Sequence, residues 1–158
     1  MADRTAGAGL LQDVTRDYPE AAHCDALFEV RSEASGLHAF IALHDLSRGA
    51  GYGGIRRRVF GSVVEAVHEV VGLAEHMTLK TAFAGLRAGG AKAVILDRPG
   101  LDRDRAYECL GRAVEALGGD FIAGPDVGTS DSELAALRQS SDHVTGPDAH
   151  PSRSAATG

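Results

Sequence analysis

The clearest alternation of apolar and polar residues lies between positions 26 and 46, where aromatic and β-branched side chains alternate with polar ones. A turn-forming pair, Ser35 and Gly36, divides this stretch in two. Alternation with a period of two on both sides of a short turn is typical of two antiparallel strands. The pattern therefore predicts a β-hairpin.

Residues 1–22, which precede the hairpin, show no sustained period. Leu10, Leu11 and Val14 are spaced closely enough to form one side of a short helix. We interpret this stretch as an N-terminal segment with a short docking helix and a loose start.

The strongest helical pattern begins at Ser62. Ser62 and Glu65 have the spacing of a capping box, in which the serine oxygen accepts from a backbone amide and the glutamate reaches back to the cap. Apolar residues then recur at helical spacing, which predicts a helix with one buried face. These residues are Val63, Val67, Val70, Val71, Ala74 and Met77.

Beyond this helix, strand-like and helix-like segments alternate. The predicted elements are strands at 91–96 and 121–123, helices at 102–117 and 130–137, and a candidate strand at 143–145. Strands that alternate with helices connect as parallel βαβ units, whereas the hairpin is antiparallel. The predicted fold class is α/β, a mixed sheet with an N-terminal antiparallel hairpin and βαβ units flanked by helices.

Length and composition fit one globular domain. The chain has 158 residues, of which 44% are hydrophobic and 24% charged. The formal charge of -6 and the pI near 5.6 argue against nucleic acid as a partner, because a phosphate backbone needs a cationic face. The sequence has neither a long apolar run nor a secretion signal, so we expect no membrane contact and a cytoplasmic location.

The cysteines indicate no disulfide framework. Cys24 and Cys109 are the two in the chain, and neither stands in a metal-ligand spacing. We expect two reduced thiols and no metal centre.

Residues 49–54 match the Gly-x-Gly-x-x-Gly pattern of dinucleotide-binding loops and follow a predicted strand. In that motif the last glycine opens a helix whose amino end holds the pyrophosphate, but here residues 55–60 intervene. We therefore reject a nucleotide loop and interpret the glycines as a turn with positive φ angles. They are also compatible with a backbone wall against a ligand.

Three charged residues further along the chain are candidate functional residues: Lys80, Lys92 and Asp126. Lys80 lies near the end of the predicted helix, where a lysine usually complements the helix dipole from solvent. Asp126 alone would fit a turn or cap. Lys92 is less ordinary, because it stands between a glycine-rich loop and an apolar strand.

Taken together, residues 44–56, 77–86, 89–95 and 124–129 resemble the N-terminal domain of the glutamate/leucine/phenylalanine/valine dehydrogenases. The first stretch ends in a Gly-Gly-x-Arg sequence that lines the family's amino-acid pocket, and the second resembles its Met-Thr-x-Lys signature. The last two resemble the segments that bear the catalytic lysine and the catalytic aspartate. The resemblance runs from about Phe40 to the last residue.

This resemblance implies a role for each matched residue. Lys80 pairs with the substrate carboxylate, Lys92 activates the chemistry at the α-carbon, and Asp126 shuttles a proton. A carboxylate in a partly buried pocket needs a fixed cation, and a second ammonium group beside the first favours a neutral, basic amine. The further substrate-binding residues implied are Tyr52, Gly53, Gly54 and Met77.

Two departures from the family pattern affect the interpretation. Tyr52 stands where leucine-type members carry a smaller aliphatic residue, so a leucine substrate is not inferred. Arg57 and Arg58 stand where the family usually places apolar or aromatic residues, and different local packing is expected there.

The resemblance also divides the chain. Residues 23–150 correspond to the substrate-binding and oligomerisation domain, and residues 151–158 resemble the join to the family's Rossmann domain. On this division the chain holds no cofactor itself, and NAD(P) would come only with a partner chain that supplies the Rossmann domain. The expected partners are an amino or 2-keto acid and further copies of the chain in a homo-oligomer.

Three functions stay open on the sequence alone. The first is the catalytic domain of an amino-acid dehydrogenase, the second a free-standing nonredox enzyme that acts on an amino or keto acid, and the third a noncatalytic assembly or amino-acid-sensing module. The topology raises one conflict for the first two. If the strands at 91 and 121 are parallel, Lys92 and Asp126 start at opposite edges of the sheet, whereas the resemblance requires one cleft.

Overall fold

The computed structural model describes residues 10–146, which form a six-stranded mixed sheet with helices on both faces. The strands are β1 (Leu11–Asp13), β2 (Ala26–Ser32), β3 (Leu37–Asp45), β4 (Gly51–Arg58), β5 (Gly89–Leu96) and β6 (Phe121–Pro125). The helices are α1 (Val63–Phe83), α2 (Arg103–Ala116) and α3 (Asp131–Arg138), and a short 3₁₀ helix spans Pro19–Ala21. The predicted α/β class and the predicted hairpin, formed by β2 and β3, are confirmed.

The strand order is β1-β2-β3-β5-β4-β6. β1, β2, β3 and β5 are successively antiparallel, whereas β4 is parallel to both β5 and β6. The connection through α1 moves from β4 to β5, and the connection through α2 moves the other way, from β5 past β4 to β6. Crossovers of one hand that move in opposite directions place their helices on opposite faces.

Each face of the sheet has its own hydrophobic core. On one face, the apolar side of α1 packs against β2, β3 and β5 through residues such as Val67, Val70, Phe40 and Val94. On the other face, α2 and α3 pack against the sheet through residues such as Leu110, Leu137, Ile95 and Phe121. The apolar periodicity that predicted α1 thus corresponds to real burial.

The glycine-rich stretch is a strand and not the predicted turn. Gly49 has a positive φ of 135°, but Gly51, Gly53 and Gly54 lie in β4, between β5 and β6. A Cβ on Gly53 would collide with the backbone of Ala91 on β5. These glycines therefore serve the close approach of neighbouring strands more than the freedom of a turn.

The predicted N-terminal helix is wrong within the described residues. Leu11–Asp13 forms the edge strand β1, paired antiparallel with β2. Leu10 and Leu11 pack toward the α2 face, while Val14 is buried on the α1 face. Leu11 and Val14 are three positions apart and lie on opposite faces of the sheet, as the alternation of an extended segment requires. Residues 1–9 lie outside the described residues.

Smaller predictions at the ends of elements had mixed outcomes. Ser62 caps α1 by accepting from the Glu65 amide at 3.1 Å, but Glu65 reaches back to the amide of Gly61 and not to the cap residue. Ser130 and Glu133 do form the complete capping box at the start of α3.

The candidate strand at 143–145 contributes one isolated bridge, between Ala123 and Val144. The predicted tail, 151–158, lies outside the described residues.

Among residues 10–146, no helix combines the length and apolar composition that a membrane crossing requires.

Candidate functional site

Lys92 and Asp126 form an ion pair on the α1 face of the sheet. The Lys92 Nζ lies 2.6 Å from the Asp126 Oδ2, and the two side chains are 7% and 18% exposed. The guanidinium of Arg56 donates to the same carboxylate oxygen at 3.1 Å. Burial alone would raise the pKa of Asp126, but hydrogen bonds from Lys92, the Val127 amide and Arg56 outweigh it and hold that pKa below its usual value.

The strand register explains how residues from β5 and from the end of β6 meet. Ile55 on β4 is level with Ala93 on β5 and with Pro125 on β6. β6 therefore ends level with the middle of β5, with β4 between them, and Asp126 follows directly. The expected separation across the sheet does not arise, because β6 is short and a lysine side chain is long enough to reach over β4.

Gly54 provides the space that the start of the Asp126 loop occupies. A Cβ at this position would stand 2.7 Å from the Cβ of Asp126 and 2.6 Å from the carbonyl oxygen of Pro125. A side chain here would displace the start of the Asp126 loop. Gly53 and Gly54 are both buried, and neither lines a cleft described below.

The last turns of α1 cover the ion pair and create a cleft of about 390 Å³. Lys80, in the last turn of the helix, and Met77 line this cleft together with Lys92 and Asp126. The remaining lining residues are Arg56, Leu73, His76, Leu79 and Phe83. The structure thus brings together four of the residues that the sequence singled out.

A second cleft, of about 540 Å³, adjoins the first and shares Met77 and Lys80 with it. Tyr52 on β4 lines this second cleft and is 41% exposed. Its other walls are Thr81, Ala84, Leu86, Arg87 and Ala88. Tyr52 is therefore a neighbour of the Lys92–Asp126 pair without lining the same cavity.

Sequence reasoning did not single out Arg56 as a site residue. Its signal was present, because Arg56 is the last residue of the Gly-Gly-x-Arg stretch. Its partner could not be read from the chain, since Arg56 and Asp126 are 70 positions apart and meet through the pairing of β4 with β6.

Arg57, the residue after Arg56, makes its contacts on the other face of the sheet. Arg57 points to the opposite face, where its side chain, 9% exposed, donates to Asp97 at 2.8 Å and to Glu133 at 3.2 Å. Thr129, just beyond the Asp126 loop, donates to the Ile55 carbonyl at 2.7 Å. The contacts with Glu133 and with the Ile55 carbonyl fasten the segment after β6 to β4.

Arg58 lies on the surface beside α1. It pairs with Glu69 at 2.7 Å and lies over the ring of Phe60.

The α1 helix does not begin until Val63, so the glycines of β4 do not open a helix. The segment that matches the dinucleotide pattern therefore lacks the strand-to-helix loop that a pyrophosphate requires.

The family model described as Glu/Leu/Phe/Val dehydrogenase, dimerisation domain, matches residues 24–143. Leucine dehydrogenase from Geobacillus stearothermophilus is 38% identical over 133 residues, which make up 84% of this chain and 35% of that enzyme. The chain spans about a third of the length of the curated relatives it matches.

Solved structures give the same relationship. L-tryptophan dehydrogenase from Nostoc punctiforme superposes with a TM-score of 0.75 at 29% identity, over 83% of this chain and 38% of that one. The hetero-hexameric glutamate dehydrogenase from Thermus thermophilus, in its leucine-bound form, gives a TM-score of 0.64 at 26% identity, over 84% and 37%. On these matches the chain belongs to the Glu/Leu/Phe/Val dehydrogenase family and contains its dimerisation domain.

Proposed function

We propose that this chain binds the substrate and supplies the catalytic residues of an amino-acid dehydrogenase. The reaction would be oxidative deamination of an L-amino acid, or in reverse the reductive amination of a 2-keto acid. The observation that carries this proposal is the convergence of Lys80, Lys92 and Asp126 on one cleft. The leucine, phenylalanine and valine dehydrogenases among its relatives support the same class of substrate.

The use of lysine in this cleft is selective. The sequence contains two lysines among its 16 lysine and arginine residues, and both line the cleft. An arginine keeps its proton in proteins, whereas a lysine can release one and act as a base. Lysine at both positions therefore suits chemistry that needs more than a permanent positive charge.

The surroundings of the two lysines assign them different tasks. Lys92 is buried and already paired with Asp126, whereas Lys80 is exposed on the last turn of α1. Arg56 is engaged by Asp126, and Glu69 lies 3.9 Å from it. Lys80 is therefore the cation best able to bind a substrate carboxylate that enters the cleft.

The Lys92–Asp126 pair supports a balanced proton relay. Transfer of a proton across their 2.6 Å contact gives a neutral amine beside a carboxylic acid. The amine then takes a proton from a water molecule whose oxygen bonds to the imine carbon of the substrate. The acid gives its proton to the nitrogen, the carbon–nitrogen bond breaks, and the hydroxyl proton passes through Asp126 to the released ammonia, which leaves as ammonium beside the 2-keto acid.

Oxidation at the α-carbon also requires a hydride acceptor, which a nicotinamide cofactor supplies in this class of reaction. Residues 10–146 do not fit such a cofactor, because the glycines that match its fingerprint form β4. We propose that NAD(P) is held by a separate domain or partner chain. The isolated chain should then bind substrate without NAD-dependent turnover.

Ligand binding to the chain tests this proposal without a cofactor. We expect α-amino or 2-keto acids to raise the melting temperature of the wild type, because they bind the folded state alone. Lys80→Ala should abolish this shift, and Arg105→Ala, a cation lost from an exposed site on α2, should preserve it. The absence of a shift with every acid, or an unchanged shift in Lys80→Ala, would refute the pocket.

Turnover then tests the catalytic assignment. With the nicotinamide domain supplied, Lys92→Ala and Asp126→Ala should each lose turnover while the melting-temperature shift with substrate is retained. Full activity in either variant would contradict the proton relay.

A nonredox enzyme is the second candidate, favoured by one observation. The cleft of residues 10–146 brings Lys80, Lys92 and Asp126 together without any contribution from a cofactor. Imine formation, cyclisation or hydrolysis of an amino or keto acid would need only these groups. Conversion of such an acid by the isolated chain, detected by mass spectrometry, would favour this candidate over the dehydrogenase.

We also infer that the chain assembles with itself. The family model describes a dimerisation domain, and one structural neighbour is a hetero-hexamer. Among residues 10–146, β1 is an edge strand whose outer side pairs with no other strand, and such an edge can pair with a strand of a second copy. A mass in solution above 16.4 kDa, measured by light scattering, would support assembly, and a monomer at micromolar concentration would contradict it.

A further inference from the structure

Three potential metal ligands converge on the side of α1 away from the cleft. His23, His44 and Glu75 each offer one ligand atom, and these atoms all lie within 4.8 Å of one another. The imidazole Nε2 of His23 is 3.8 Å from the Glu75 Oε2. The two histidine rings meet edge to face, with centroids 5.5 Å apart. Two imidazoles and a carboxylate form a common ligand set for zinc.

The hydrogen bonds of His44 prepare it to bind a metal. Its Nδ1 lies 2.9 Å from the Thr78 hydroxyl oxygen, and that hydroxyl donates to the Ala74 carbonyl at 3.4 Å. In the tautomer with its proton on Nδ1, His44 donates to the Thr78 hydroxyl. The lone pair of the neutral ring then lies on Nε2. A metal-binding histidine usually has this kind of outer hydrogen bond, which fixes its orientation and tautomer.

The three ligands come from separate parts of the fold. His23 follows the 3₁₀ helix, His44 lies near the end of β3, and Glu75 lies in the second half of α1. None of the three lines the cleft that contains Lys92 and Asp126. His23 and Glu75 are 53% and 52% exposed, so an ion can reach the site from solvent.

We propose that His23, His44 and Glu75 form a binding site for a divalent transition metal, with Zn²⁺ as the best match, and leave a further coordination position to water. Zinc bonds to nitrogen and oxygen ligands are about 2.0–2.2 Å long, so ligand atoms around one ion lie closer together than 4.8 Å. Small rotations of the two exposed side chains would close this gap. The bound ion would tie the segment after the 3₁₀ helix to α1, the helix that carries Lys80.

Calorimetric titration of the full chain with ZnCl₂, after removal of any histidine tag and of trace metal, tests the site. We expect one ion per chain and a higher melting temperature with zinc. His23→Ala and Glu75→Gln change exposed residues and should each weaken binding at least about tenfold. Thr78→Val keeps the shape of the side chain but removes the outer hydrogen bond, and should weaken binding about 10- to 100-fold.

His68→Ala is the matched control, because His68 is an exposed histidine on α1 that lies outside the cluster. It should bind zinc as the wild type does. The proposal is overturned if the wild type takes up no zinc, or if His23→Ala and Glu75→Gln both bind it with unchanged affinity. A loss of binding in His68→Ala of the same size as in His23→Ala would also overturn it. Co²⁺ provides a second readout, since its absorption bands should disappear in His23→Ala and persist in His68→Ala.

Discussion

At the scale of single residues, Asp126 is the group on which the candidate site depends. Its carboxylate accepts from Lys92, from Arg56 and from the Val127 amide. Because these donors favour the ionised form, they lower the pKa of Asp126 in the folded state. The proposed relay starts from this ionised form, although the lowered pKa itself makes proton transfer from Lys92 less favourable.

This pKa shift predicts a pH dependence of stability. The folded pKa of Asp126 lies below its usual value of 3.8, so the unfolded chain binds the proton more readily. The contribution of Asp126 is therefore complete above the unfolded pKa and is lost as pH falls through the folded pKa. Asp126→Asn should lower the free energy of unfolding by about 1–2 kcal/mol at pH 7.

Urea unfolding at a series of pH values measures this effect. The difference between the wild type and Asp126→Asn should shrink as the pH is lowered below about 4. Asp142→Asn, at an exposed position, provides the control and should leave the wild-type profile unchanged. A difference that stays constant from pH 7 to pH 3 would contradict the assignment.

The sequence identified some of these residues and not their contacts. Lys92 stood out because a charge interrupts an apolar strand, and it is indeed buried. Lys80 and Asp126 were identified only through the resemblance, since each looks ordinary alone. His23, His44 and Glu75 were missed because they are scattered along the chain, and no local spacing indicates that a strand, a helix and a loop bring them together.

At the scale of elements, helices were easier to predict than strands. The periodicity and capping residues of α1, α2 and α3 are local signals, and the observed N-caps are Ser62, Asp102 and Ser130, as predicted. β4 has no such signal, because its sequence consists largely of glycine and arginine. Its glycines make room for neighbouring strands, and its arginines find carboxylate partners on other elements.

Gly54 shows that a glycine in β4 is required for space. Gly54→Ala would place a methyl group 2.6 Å from the Pro125 carbonyl oxygen and 2.7 Å from the Asp126 Cβ. We expect a loss of about 1–3 kcal/mol in the free energy of unfolding, because β6 must move away. With the nicotinamide domain supplied, turnover should fall too, because the displaced loop carries Asp126.

The matched control is Gly72→Ala, within α1. A Cβ there would meet no atom within 4 Å, and alanine is the better helix former. This variant should gain about 0.5–1 kcal/mol. Denaturant unfolding of both variants measures effects of opposite sign. A Gly54→Ala protein as stable as the wild type would show that β6 tolerates the displacement.

At the scale of the whole molecule, the arrangement of the strands creates the cleft. Local patterns predicted β2, β3, β5 and β6 as strands, but neither β1 nor β4. They also did not indicate which strands are neighbours in the sheet. β4 lies between β5 and β6, beyond β5 from its neighbour in sequence, β3. In this order the end of β6 is level with the middle of β5, one strand away, and the Lys92 side chain reaches over β4 to Asp126. The conflict between parallel strands and a shared cleft is resolved by this strand order and by the shortness of β6.

The two cores of the molecule share one sheet, and this predicts cooperative unfolding. Val70 is buried between α1 and the sheet, and Leu110 between α2 and the other face. Val70→Ala should lower the free energy of unfolding by about 2 kcal/mol and Leu110→Ala by about 2–5 kcal/mol.

Because β3 and β5 contribute side chains to both cores, neither face can lose its helices without exposing the sheet that supports the other. Each variant should therefore shift one common transition, measured both by far-UV circular dichroism and by tyrosine fluorescence, which reports on Tyr18 on the α1 face and Tyr107 on the α2 face. Two separate transitions in either variant would mean that the α1 layer and the α2 layer fold independently.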